Sequence, residues 1–257
     1  MYPYFIFSIV FGLIVGSFLN MLIYRLPRDI GLLSPNRSFC PNCKKKLLLL
    51  ENIPVISFVI LKGSCSGCKR KISWQYPVIE LVSAVLSFIL FPSIITADNL
   101  MEYFFKYTII ASFVVHIIVD LKHKILPDMI TGYLAAIFLF YSILHHSWTY
   151  WMIGGLIGYF FPLLVTWIFY KYRGIRGMGL GDIKLFSALG IYLGVYGIIH
   201  NIFLSCLIGS IAGIVLISAK KIKKQDAIPF GPFIILIAIF QIFFENEFAR
   251  LVNLIFS

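Results

Sequence analysis

The chain of 257 residues is 60% apolar and only 13% charged, against roughly 45–50% and 25% in soluble domains, which excludes a soluble globular enzyme. Its net charge of +11 would suit a nucleic-acid binder, but the basic residues are sorted by loop, which is the mark of membrane topology instead.

In chain order, uncharged or nearly uncharged runs predict about eight transmembrane helices, near 3–24, 76–94, 101–119, 127–145, 150–170, 183–200, 201–219 and 228–244. About 20 apolar residues cross a bilayer, and no alternating pattern suggests a barrel. The turn between the sixth and seventh is expected at Tyr196–Asn201. The first run has no Lys or Arg before it and is followed by Arg25 and Arg28, which predicts an anchor that stays rather than a cleaved signal peptide.

Ten of the 22 Lys and Arg lie in 25–75, and most of the others follow the third, fifth and seventh runs, leaving Lys106 and Arg250 on the opposite side. The basic loops are expected in the cytosol and both termini outside. The insertion 25–75 is too small to bury a large core and needs a staple. Cys40-Pro-Asn-Cys43 and Cys65-Ser-Gly-Cys68 supply one, the ligand set of a tetrahedral structural zinc. Cytosolic thiols stay reduced, which argues against two disulfides. Cys206, alone in the seventh run, is expected to be a packing residue.

Of the 11 acidic residues, Asp120, Asp128 and Asp182 fall at one membrane boundary, where an ionisable group is costly and so a functional candidate. Asp120 ends the third run and Asp182 begins the sixth, so the two can meet if those helices pack together. A carboxyl pair that splits its titration can hold one proton, which is the working state of an aspartyl hydrolase. Gly177, Gly179 and Gly181 would clear the approach of an extended substrate to Asp182. Alternatively, Asp182 merely caps the sixth helix. Asp128 is expected to cap the fourth helix, and Lys184 to be a snorkelling anchor. A transporter using Asp120 and Asp182 is a rival from another class, but the internal repeats and discontinuous helices typical of transporters are not found.

Taken together, GSFLNMLIYRLP at 16–27, the two CxxC pairs, ENIPVISF at 51–58, ISWQYPVIEL at 72–81, DLKHKILPD at 120–128 and GMGLGDIKLF at 177–186 resemble the bacterial type IV prepilin peptidases of the GxGD aspartyl protease class. The resemblance implies an all-α polytopic enzyme of the inner membrane, with its small zinc-stapled cytosolic insertion between the first and second helices. It implies that Asp120 and Asp182 cut the basic leader of prepilins or pseudopilins after a glycine, on the cytosolic side. It further implies N-methylation of the new terminus by S-adenosylmethionine; a peptidase lacking that second activity is the alternative. The expected organisation is a methyl-transfer part at 1–95, a peptidase core at 100–220 and a last helix with its tail at 228–257. Glu51, Asn52 and Glu80 are the polar candidates for methyl transfer; the alternative readings are a turn at Asn52-Ile53-Pro54 and a pairing of Glu80 with a basic neighbour such as Arg25. Partners are the lipid bilayer and the prepilin, with no nucleic acid.

Overall fold

The computed structural model describes residues 2–32, 37–174, 177–220 and 228–256. Arg176, Lys221, Lys223 and Lys224, among the basic residues that follow the fifth and seventh apolar runs, lie outside the described residues. The described chain is helical, with α1 (Tyr2–Arg25), α2 (Ile56–Ile60), α3 (Gln75–Leu90), α4 (Ala97–His123), α5 (Asp128–His145), α6 (Trp148–Arg173), α7 (Leu180–Ser218), α8 (Gly231–Phe243) and α9 (Glu245–Phe256). Among these residues the only β pairings are two isolated bridges, Phe39 with Lys46 and Ser64 with Lys71.

The all-helical membrane architecture is as expected, but the spans divide differently. Among the described residues, five helices are long and apolar enough to cross a membrane, or six if α8 and α9, bent by 111°, count as one. The expected second span is the shorter α3, whose 16 residues reach about 24 Å at roughly 1.5 Å each, against a hydrocarbon core of about 30 Å. The expected sixth and seventh spans are two helices that meet at a kink within α7, and Tyr196–Asn201, the expected turn, is helical. The break lies earlier, at Gly194, whose φ of 66° and ψ of −171° interrupt the helix. Only glycine tolerates that backbone. A break at membrane depth must have its freed carbonyls satisfied. Ser142 of α5 donates to the Ile191 carbonyl, in the turn before the break, at 2.9 Å. Beyond the break, Gln241 of α8 donates to the Gly197 carbonyl at 2.8 Å.

The chain forms two compact units, Met1–Val115 and His116–Ser257, with the division inside α4. In the first, α1 crosses α3 through Gly12 and Gly16, where an added Cβ would lie 2.6 Å from the Cα of Ala84 and of Glu80. Ser83 and Ser87 of α3 bond the hydroxyls of Tyr107 and Tyr103, both at 2.7 Å. In the second, α6 crosses α7 through Gly154 and Gly158, whose Cβ positions would fall 2.2 Å from the Gly190 carbonyl and 2.4 Å from that of Phe186. Both crossings use glycines four apart. Lipid supplies no hydrophobic drive between helices, so small residues let backbones approach and dispersion hold them.

Candidate active site

In the His116–Ser257 unit, the end of α4 buries Val119 and Asp120, the latter only 4% exposed. The helix stops as Lys124, at positive φ, donates its N–H to the Asp120 carbonyl at 2.8 Å. Ile125-Leu126-Pro127 then leads into α5, and Leu126 points inward at 8% exposure. The second carboxylate arrives from the other side. Gly179, with extended backbone, leads into α7, which begins at Leu180 and so has Asp182 as its third residue. There its Oδ2 accepts the Gly179 N–H at 3.2 Å.

Two residues that the sequence did not single out connect these pieces. The N–H of Gly231, first residue of α8, donates to Asp120 Oδ2 at 2.9 Å. Leu126 fills the space between two glycines, since a Cβ on Gly231 would lie 2.9 Å from Leu126 Cδ2 and one on Gly181 3.1 Å from Leu126 Cβ. Asp120, Gly231, Leu126, Gly181 and Asp182 thus form one continuous contact path. The signal for Gly231 was in the chain as Pro229-Phe-Gly-Pro232, a glycine between prolines at the start of the last apolar run.

The three GxGD-loop glycines do not adopt positive φ. Their missing side chains make room for neighbours: Phe169 of α6 at Gly177, the Asp182 carboxylate at Gly179 and Leu126 at Gly181. Asp128 does not cap α5. Pro127 holds the cap position without a side-chain bond, and Asp128 reaches Lys184 of α7 at 2.7 Å. Lys184 is therefore held by a carboxylate instead of acting as a free snorkelling anchor.

In the Met1–Val115 unit, the four cysteines sit on two knuckles of the same geometry. Cys40 N–H bonds the Lys45 carbonyl and Cys65 N–H that of Arg70, both at 2.9 Å, while Lys44 and Lys69, both at positive φ, return to the Cys40 and Cys65 carbonyls at 3.0 Å. Zn–S bonds of about 2.3 Å in a tetrahedron separate sulfurs by about 3.8 Å. The sulfurs of Cys40 and Cys68 are 3.9 Å apart and those of Cys43 and Cys65 4.0 Å, with all four within 4.8 Å. The cluster could hold one zinc ion. Backbone N–H groups of Cys68 and Gly67 aimed at Cys65 lower its thiol to about 6, toward the thiolate a metal needs.

The three methyl-transfer candidates separate here. Glu51 clasps the knuckles: it accepts the Leu48 N–H at 2.9 Å, Lys45 Nζ at 2.9 Å and the Ser66 hydroxyl. Those donors, Leu48 first, hold its carboxyl down at about 2. Glu80, buried on α3, accepts the Val55 N–H at 2.8 Å and pins that β-branched residue at a φ of 59°. Asn52 lines a cavity of about 310 Å³ with Ile14, Ser17, Phe18, Met21, Arg25 and Pro54. Arg25, 3% exposed, donates to the carbonyls of Gly31 and Leu32 at 3.0 and 2.8 Å.

Comparison with known proteins places residues 10–94 in the bacterial peptidase A24 N-terminal domain and residues 107–214 in the type IV leader peptidase family. A prepilin leader peptidase/N-methyltransferase of Aeromonas salmonicida is 33% identical over 90% of this chain and 88% of its own. The proteins of that description from Burkholderia pseudomallei and Pseudomonas aeruginosa are 30% and 29% identical, covering 96% and 95% of this chain and 87% and 91% of theirs. No solved structure matches. The chain belongs to the type IV leader peptidase family.

Proposed function

We propose that this protein cleaves the basic leader from type IV prepilins or pseudopilins after glycine, with Asp120 and Asp182 as the catalytic pair, and then methylates the exposed N-terminus. The observation that supports it best is the contact path joining the two carboxylates through Gly231, Leu126 and Gly181. One carboxyl, ionised, takes a proton from water as the oxygen attacks the scissile carbonyl. The other, protonated, hydrogen-bonds the carbonyl oxygen and steadies the charge that develops there. The tetrahedral intermediate collapses as the leaving nitrogen gains a proton, and the two acids exchange roles. The proton belongs to the pair.

The lysine- and arginine-rich loops put this chemistry at the cytosolic face of the inner membrane, with both termini outside. Gly177 and Gly179, both exposed, leave room for an extended substrate backbone beside Asp182. Cys40, Cys43, Cys65 and Cys68 would hold a structural zinc that organises 37–74 without entering either reaction. S-adenosylmethionine, when bound, would supply a methyl group to the neutral amine of the new terminus, leaving as S-adenosylhomocysteine while the amine loses a proton. The 310 Å³ cavity beside Asn52 fits such a donor in scale and in its mixture of apolar and polar lining. Asn52 lies in that wall, Glu80 bonds the turn next to it, and Glu51 supports the knuckles. The methyl-transfer part is assigned to 1–95, the peptidase core to 100–220, and 228–257 to the last helix and tail.

Asp120→Asn and Asp182→Asn should each abolish prepilin cleavage by detergent-purified protein while the chain still inserts and purifies as a monodisperse species. Cleavage at the wild-type rate by either variant would refute the pair. A labelled-methyl assay on processed pilin separates the bifunctional enzyme from a peptidase alone.

A further inference from the structure

We infer that Gly231 is a positioning residue of the peptidase site, holding the Asp120 carboxylate by its backbone N–H and by its lack of a side chain. This rests on the proposed role of Asp120. Gly231 lies outside both segments that the family comparisons match, 10–94 and 107–214.

Three observations meet at this residue. Its N–H donates to Asp120 Oδ2 at 2.9 Å across 111 positions of sequence. A carboxylate anchored by a backbone amide loses rotamer freedom that a side-chain donor would leave it, because the amide cannot swing away. Next, a Cβ at this position would fall 2.8 Å from that same oxygen and 3.4 Å from Asp120 Cγ, so any larger residue displaces the carboxylate it now holds. Finally, Pro232 follows at the start of α8. Its ring fixes φ and removes one N–H, which leaves the Gly231 amide free to point at Asp120 without competition from the next residue. The start of α8 is in this way a third wall of the site, beside the end of α4 and the start of α7.

Leu126 provides the control. The added Cβ would also lie 2.9 Å from Leu126 Cδ2, so a defect in Gly231→Ala could come from either contact. Leu126→Ala removes one clash and leaves the other. The experiment measures kcat and KM for prepilin cleavage by the purified full-length wild type, G231A, L126A and L126A/G231A. Absence of cleavage by the wild type would sink the peptidase reading itself and is told apart in this way. Where wild type cleaves, G231A should lose at least tenfold in kcat with KM within about threefold, and the double variant should remain at least tenfold below L126A. A purely structural defect would move folded yield and KM as well. Should G231A fail to accumulate, the comparison of the double variant with L126A carries the test. Wild-type kcat in G231A, or a double variant equal to L126A, would overturn the assignment.

Discussion

Removing the metal from the four-cysteine cluster should unfold the loop around it and leave the membrane helices standing. Between Arg37 and Trp74 only Cys40 and Cys65 are buried among the described residues, so the loop has no apolar core apart from its cysteines. Cys43 and Cys65 are 22 positions apart, and closing a loop of that length costs about 3 kcal/mol in chain entropy. The hydrogen bonds of the knuckles face water and return on the order of 1 kcal/mol each at best. Structural zinc in small domains contributes roughly 10–16 kcal/mol, enough to dominate both. We therefore expect one zinc per chain, held with a dissociation constant tighter than about 100 nM. Stripping it with a strong chelator under reducing conditions should expose the eight Lys and Arg between Arg37 and Lys71 to trypsin, with cleavage at least tenfold faster and the helical circular dichroism of the spans retained. Elemental analysis before and after establishes the metal content. Unchanged protease resistance in demonstrably metal-free protein, or purified reduced protein without zinc, would refute this account.

Glu51→Gln should keep full zinc occupancy but speed chelator exchange several-fold, because the charge that holds Lys45 is lost and one of the two oxygens that serve Leu48 and the Lys45–Ser66 pair becomes an NH2 donor. Loss of methyl transfer with unchanged exchange would instead make Glu51 part of the chemistry. Gly158→Leu should abolish accumulation of folded protein, since its Cβ would lie 2.4 Å from the Phe186 carbonyl, whereas Gly132→Ala, with nothing within 4 Å, should be neutral or stabilising by up to about 1 kcal/mol. Thermal unfolding in detergent distinguishes them, and a tolerated Gly158→Leu would contradict the close crossing of α6 and α7. The Lys184–Asp128 pair has side chains 46% and 69% exposed, so a double-mutant cycle on stability should give about 0–1 kcal/mol. A coupling above about 2 kcal/mol would mean the pair is shielded from water.

Much of this protein was legible along the chain because membrane insertion imposes local rules. Length of apolar run, placement of Lys and Arg, and the spacing of Cys40, Cys43, Cys65 and Cys68 each report a requirement that neighbouring residues meet alone. Asp120 and Asp182 stood out for the same reason, as charges where charge is expensive. What the sequence could not determine depended on which helices touch. The break in α7 at Gly194 leaves the Ile191 carbonyl ahead of it to Ser142, which comes from another helix. Asp128 leaves the cap position because Lys184 is within reach. Gly231 joins the site from 111 positions away, and no local pattern carries a backbone amide across that distance. Hydrogen bonds and steric contacts are short-ranged in space and indifferent to separation along the chain, so only the folded arrangement could decide them.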